Sequence, residues 1–219
     1  MAQQLHNELK KEFQLERMIL FSDAVFAIAI TILVIEIRVP DIPKELVTEQ
    51  RLLQSLDNLI PKFVGFLISF MIIGLYWQVH HRMFGFVVNY TRRTLWLNLF
   101  FLLAVVLMPF STAFYSEYVL RLLKTPIIVY VVNICCLGFM NFFLWKHLTN
   151  PKLNLTEGVT REEDLVFSFR SIAVPIVFII AALVYFFNPV VAAFLPSLLP
   201  LFMRIITRRI RGSFKTKRT

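Results

Sequence analysis

The stretch from Arg17 to Pro40, RMILFSDAVFAIAITILVIEIRVP, constrains the chain more than any other. A helix of about 20 mostly apolar residues crosses a bilayer, and this segment is long enough. It also carries Asp23 in its first turns and Thr31 near its middle. A carboxylate at membrane depth costs on the order of 3 kcal/mol on insertion scales, so it faces protein or water rather than lipid. On a wheel of about 100° per residue, Ile28, Thr31, Ile32 and Ile35 share one face, with Asp23 about 140° round from Ile28. Periodicity leaves two readings open. One is a helix buried in a bundle, with Asp23 in a structural hydrogen-bond network; the other is a functional face, a narrow apolar stripe interrupted by one hydroxyl.

The rest of the chain is as apolar as this segment. At 58% hydrophobic residues, 17% charged and a mean hydropathy of +0.68, its 219 residues describe an all-α integral membrane protein. Six spans are expected, at about 18–39, 63–82, 95–115, 126–145, 168–187 and 190–207, in one transmembrane domain. The first apolar segment is too long for a signal peptide and has no small-residue cleavage site, so it is expected to stay as the first span. Of the 23 lysines and arginines, 17 fall on the N-terminal side of these spans. The positive-inside rule then places both termini in the cytoplasm of a protein of the cell (inner) membrane. The net charge of +9 sits between apolar spans rather than on a soluble aromatic platform. That argues against nucleic acid and for anionic lipid, above all at the basic tail RIITRRIRGSFKTKRT.

Several features read as architecture. Leu5, Leu9 and Phe13 recur at four-residue spacing in a short amphipathic lead-in. Leu46, Leu52, Leu53, Leu56 and Ile60 suggest an amphipathic surface helix ahead of the second span. Pro109 should kink the third span, Thr160 should cap the helix that becomes the fifth, and Asn188-Pro189 should turn the fifth into the sixth. Cys135 and Cys136 are neighbours in an apolar run, where a bridge would be strained, and read as small packing residues. Adjacent His80 and His81 point about 100° apart with no third ligand nearby, so neither a metal nor another cofactor is expected. The acidic residues Glu36, Asp41, Glu45, Glu49 and Asp57 cluster just past the first span. They form either a solvated face or, with Glu36 and Asp41 repeated around an oligomer, a pore mouth that raises the local cation concentration.

Arg17, Phe21, Ser22 and Asp23 spell R-x-x-x-F-S-D ahead of AVFAIAITILVIEI, and WQVHH (Trp77 to His81), WLNL (Trp96 to Leu99) and MPFST (Met108 to Thr112) follow. In these motifs, over about its first half, the chain resembles the endosomal and lysosomal potassium channel family typified by transmembrane protein 175, in its single-repeat prokaryotic form. The second half matches in hydropathy only. The resemblance implies a homotetramer with the first helix of each subunit lining the pore, a preference for potassium and slow leak-like conduction, with a proton-permeable channel as the alternative. It further implies that Trp77, Asn98 and one of His80 or His81 pack against Arg17, Ser22 and Asp23.

Function classes can then be weighed. With no TVGYG-like loop, a channel built from regular helices has to select with side chains, here a ring of Thr31 hydroxyls and constrictions of Ile28, Ile32 and Ile35. A secondary transporter commonly has repeats and broken helices, whereas the first span has neither glycine nor a second copy. An intramembrane hydrolase drawn from Ser22, Asp23 and a histidine fails because adjacent side chains diverge and no glycine-rich elbow exposes the serine. A purely structural membrane protein is the remaining alternative. The chain is therefore expected to be a non-enzymatic potassium channel whose partners are its own copies, membrane lipid and the permeant ion.

Overall fold

The computed structural model describes residues 2–215, and the last four residues of the basic tail lie outside it. Its helices are α1 (Ala2–Ile35), α2 (Glu49–Phe84), α3 (Arg92–Val106), α4 (Met108–Tyr118), α5 (Lys124–Leu148), α6 (Arg161–Tyr185), α7 (Pro189–Phe194) and α8 (Leu199–Lys215). Among the described residues, α1, α2, the α3–α4 pair, α5 and α6 are long and apolar enough to cross a membrane. With five such segments, this is a multi-pass membrane protein.

Local chemistry sets where the helices start and bend. Thr48 accepts from the Arg51 amide at the start of α2, and Thr91 with Thr94 and Thr160 with Glu163 form capping boxes for α3 and α6. Leu107 separates α3 from α4, with Pro109 in the first turn of α4 where its missing N–H removes no intrahelical bond. The expected surface helix before the second span is instead the first turns of α2, which runs unbroken through Pro61. Asp57, whose carbonyl loses its amide partner to that proline, is exposed, so water can satisfy it.

The segment expected as a sixth span, 190–207, is not one helix. Pro189 starts the six-residue α7, Pro196 lies in a 3-10 turn, and α8 then runs to Lys215 with apolar residues on one side and arginines on the other. It turns back along α6. The Phe169 and Phe202 rings stand 5.9 Å apart, and Arg211 Nε reaches Glu162 at 3.3 Å near the start of α6.

Two apolar clusters hold the bundle together. Phe26, Ile73, Phe101, Val105, Met108, Ile134 and Leu137 are central to the larger one. The smaller joins Leu15 and Met18 of α1 to Met83, Phe84, Leu144, Trp145, Leu148 and Phe167. At that same end the α2–α3 and α5–α6 loops pair through Val88 N to Leu155 O (2.9 Å) and Glu157 N to Phe86 O (2.9 Å).

Helices α5 and α6 meet closely around one turn. Pro175 leaves the Ser171 carbonyl without its usual amide, and the Tyr76 hydroxyl of α2 donates to that oxygen over a long 3.4 Å. Gly138 of α5 lies against the same turn. A Cβ there would stand 2.6 Å from Ser171 O and would overlap the Pro175 ring. Small residues permit such contact in membranes, where lipid competes with any apolar side chain for burial. Gly138→Leu should therefore destabilise the protein by about 1–3 kcal/mol, the usual cost of overpacking. Thermal melting in mild detergent measures the loss, and adding Pro175→Ala should recover part of it because the ring is one of the two obstacles.

Candidate functional site

Helix α1 docks on the bundle by a stripe of Leu15, Met18, Ser22, Phe26, Ala29 and Leu33, spaced three or four residues apart and all buried. Phe26, Ala29 and Leu33 are at most 2% exposed. The side chains on the far side of the helix are left uncovered. Ile28 is 58% and Ile35 68% exposed, with Thr31 between them also exposed. Thr31 Oγ1 donates to the Ile28 carbonyl at 2.9 Å, which spends its only proton inside the helix and keeps its acceptor capacity. Ile32 and Glu36 stand at the flank, lining a cleft of about 700 Å³ with Lys62 and Glu117, themselves ion-paired at 2.7 Å. Asp41 is exposed in the connection to α2.

The buried stripe contains one polar residue, and its hydroxyl starts a relay across three helices. Ser22 Oγ donates to Met18 O (2.8 Å) and accepts from Asn98 Nδ2 of α3 (2.9 Å). Asn98 Oδ1 lies 2.9 Å from His80 Nε2 of α2, so with the amide set this way Nε2 is the donor. The His80 ring is stacked on Phe101 at 5.5 Å and lies 4.3 Å from Phe84 and 5.6 Å from Phe26. Its Nδ1 is buried without a partner among the described residues.

A second tie lies at the edge of the stripe, where Trp77 Nε1 donates to Asp23 Oδ1 at 2.9 Å. Of the motif and its expected partners, the structure thus joins Ser22, Asn98 and His80 in one chain and Asp23 with Trp77 in another. Three residues stand apart. Arg17 lies over the Phe13 ring at 5.9 Å, Phe21 is exposed, and His81 is an exposed neighbour of Trp77. Sequence left the choice of histidine open, and the geometry places His80 inward. A second polar set was not anticipated: Ser69 Oγ of α2 is 2.9 Å from Tyr130 Oη of α5 and 2.7 Å from Thr112 Oγ1 of α4. Its only sequence signal was single hydroxyls within apolar runs.

Comparison with known proteins bears on this arrangement. A family model described as "Endosomal/lysosomal potassium channel TMEM175" matches residues 17–109, which include α1 from Arg17 onward and both sets of its partners. A protein of Chamaesiphon minutus named as a potassium channel is 34% identical over 157 residues, covering 71% of this chain and 76% of that one. The crystal structure described as a lysosomal potassium-selective channel TMEM175 homolog from Chamaesiphon minutus superposes with a TM-score of 0.73 at 28% identity, over 89% of this chain and 98% of the other. A Gallus gallus protein named as an endosomal/lysosomal proton channel, TMEM175, is 35% identical over 115 residues, 50% of this chain but 23% of its own length. The matched segment, the conserved length of the bacterial relative and the shared helical fold together show that this chain belongs to the TMEM175 family.

Proposed function

We propose that the chain is one subunit of a homotetrameric, potassium-selective, leak-like channel whose pore is lined by the exposed face of α1. The observation that carries this reading is the division of that helix into two faces. One face is held by buried packing and a polar relay, while Ile28, Thr31 and Ile35 point away from every other element of the subunit. Closed rotational symmetry would bring copies of that face together around an axis. Three further points support it. The family model described as a potassium channel matches this segment. The exposed Thr31 hydroxyl has given its proton to the Ile28 carbonyl and keeps its acceptor capacity, as partial replacement of a hydration shell requires. Glu36 and Asp41 follow at the end of the helix, where negative charge concentrates cations.

Isoleucine rings would narrow the passage and limit its water content, which suits slow conduction. On this reading the chain makes six passes, with α7 and α8 as the return leg, both termini are cytoplasmic, and lipid surrounds the assembly. Its Lys and Arg distribution supports that orientation. Proton permeation along the same path is a second reading, favoured by the name of the Gallus gallus relative.

Thr31→Ala should lower the potassium-to-sodium permeability ratio by roughly fivefold, the equivalent of about 1 kcal/mol for a lost oxygen contact. Ile28→Asn should enlarge the leak by hydrating the constriction. Planar-bilayer recordings under bi-ionic conditions check both, and unchanged selectivity in the first with unchanged conductance in the second would reject this face as the pore. The same recordings across a pH gradient at fixed potassium separate proton from potassium permeation. Asn98→Ala removes the partner of both Ser22 and His80, at about 1–3 kcal/mol for each buried group left unpaired. It should lower the melting midpoint in detergent and broaden the unitary conductance, whereas Trp96→Phe, an exposed neighbour, should do neither.

A further inference from the structure

On the opposite side of α2 from α1, a cleft of about 500 Å³ opens between α2, α6 and α8. Its three walls change character in the same direction. Along α2 the lining passes from Met71 and Leu75 to Gln78 and Arg82. Along α6 it passes from Val174 to Arg170, and along α8 from Leu199 and Met203 to Arg204, Arg208 and Arg211. The basic ends converge where the smaller apolar cluster and the paired loops lie, at the end of the bundle that holds most of the chain's positive charge. From Leu199 to Arg211 the helix rises about 18 Å, more than half of a hydrocarbon core about 30 Å thick. The cleft is therefore apolar at membrane depth and cationic at the interface.

Five arginines line the basic end, and no carboxylate does. Arg211 pairs with Glu162 just outside, and Arg82 lies over the Phe167 ring at 5.9 Å. Among the described residues, no ion pair or hydrogen bond is made by the Arg170, Arg204 or Arg208 side chains, and Arg170 is near enough to Arg82 and Arg211 to feel both charges. Like charges held together in this way repel unless an anion sits between them. A second, independent feature belongs to the same wall: Thr207 lines the cleft and is only 7% exposed, yet its hydroxyl has no partner among the described residues. Threonine in a helix ordinarily satisfies itself on the carbonyl a turn back, so a buried hydroxyl that does not is available to an external acceptor.

We propose that this cleft is a binding site for an anionic phospholipid, with the headgroup phosphate held by Arg170, Arg208, Arg82 and the Thr207 hydroxyl and an acyl chain lying along Met71, Leu75 and Val174. Arginine forks match phosphate oxygens in pairs, and a hydroxyl donor completes the shell. The apolar-to-basic gradient on all three walls selects an amphiphile over a soluble anion. Because α8 supplies three of the five arginines of the lining, occupancy would also pin the last helix to the bundle. The site is independent of which helix lines the pore.

The test uses the full chain purified in neutral detergent and titrated with phosphatidylglycerol or phosphatidylcholine of identical acyl chains. Native mass spectrometry reads retained lipid, and the melting midpoint is measured with each lipid. Wild-type protein should retain and be stabilised by phosphatidylglycerol in preference to phosphatidylcholine. Arg170→Gln and Arg208→Gln should each weaken that retention by about fivefold, the factor corresponding to one basic residue facing an anionic surface. Thr207→Val should weaken it with no change in charge. Arg209→Gln, which removes the same charge from α8 outside the cleft, should leave it unchanged. Equal retention of the two lipids by wild-type protein, a comparison that needs no variant, would overturn the proposal. So would an Arg209→Gln effect as large as that of Arg208→Gln, or displacement of phosphatidylglycerol by millimolar inorganic phosphate, which would make this a soluble-anion site.

Discussion

Within a bilayer, burial alone cannot hold one helix to another, because lipid tails are as apolar as leucine. What fixes α1 is therefore the small set of contacts that lipid cannot supply. Ser22, with no exposed surface, keeps its own proton on the Met18 carbonyl of α1 but is the acceptor for the Asn98 amide, a bond that ends if α1 moves away. Asn98 would then lose its acceptor, and His80, caged by Phe26, Phe84 and Phe101, has no other donor or acceptor to turn to. Each link makes the others costly to break, and the Trp77–Asp23 bond adds a second tie one residue along α1.

The same logic accounts for the remainder of the bundle. Pro175 opens a hole in the α6 hydrogen-bond ladder, and the consequences fall on two other helices: Tyr76 supplies a donor to the freed carbonyl, and Gly138 makes room for the ring. Asn141 of α5 donates to Ser171 Oγ at 2.6 Å in the same neighbourhood, so α2, α5 and α6 meet around one irregular turn. Ser69, Thr112 and Tyr130 do the equivalent for α2, α4 and α5. The apolar clusters fill the space between these polar junctions, and the junctions set the register.

Hydropathy made the helical membrane fold legible, since runs of some 20 apolar residues carry their own evidence. Registers and junctions were harder to read. The wheel drawn on α1 found Ile28, Thr31, Ile32 and Ile35, but in a segment apolar all round nothing in the residues says which side is covered. Ser22 in the buried stripe was the one polar marker, and its partner Asn98 lies 76 residues away along the chain, with His80 reached only through Asn98. Choosing His80 over His81 needed the rotation of α2, which sequence does not supply. The last segment was read as a plain span because its apolar residues are dense. Pro189, Pro196 and Pro200 instead divide it, and Arg204, Arg208 and Arg211 of α8 turn to one side while Arg209 does not. The cleft with Thr207 was illegible for a different reason: its charges come from three helices and become a cluster only after folding.

On the proposed reading, anchoring and conduction are parts of one design. A ring of threonine hydroxyls is a weak ligand set for an ion that must shed water, and its discrimination depends on the ring diameter. That diameter is not set at Thr31, whose exposed face touches nothing in the subunit. In such a pore it would be set on the reverse side of the same turns, where Ala29 and Leu33 are buried and Phe26 rests against His80 and Phe101. Packing behind a helix moves slowly and in discrete steps, because a close-packed interior resists small displacements. A side-chain filter carried by such a helix can remain constant without the rigid carbonyl scaffold that a loop filter needs, and the polar relay, buried and away from the conducting face, is what makes that substitution workable.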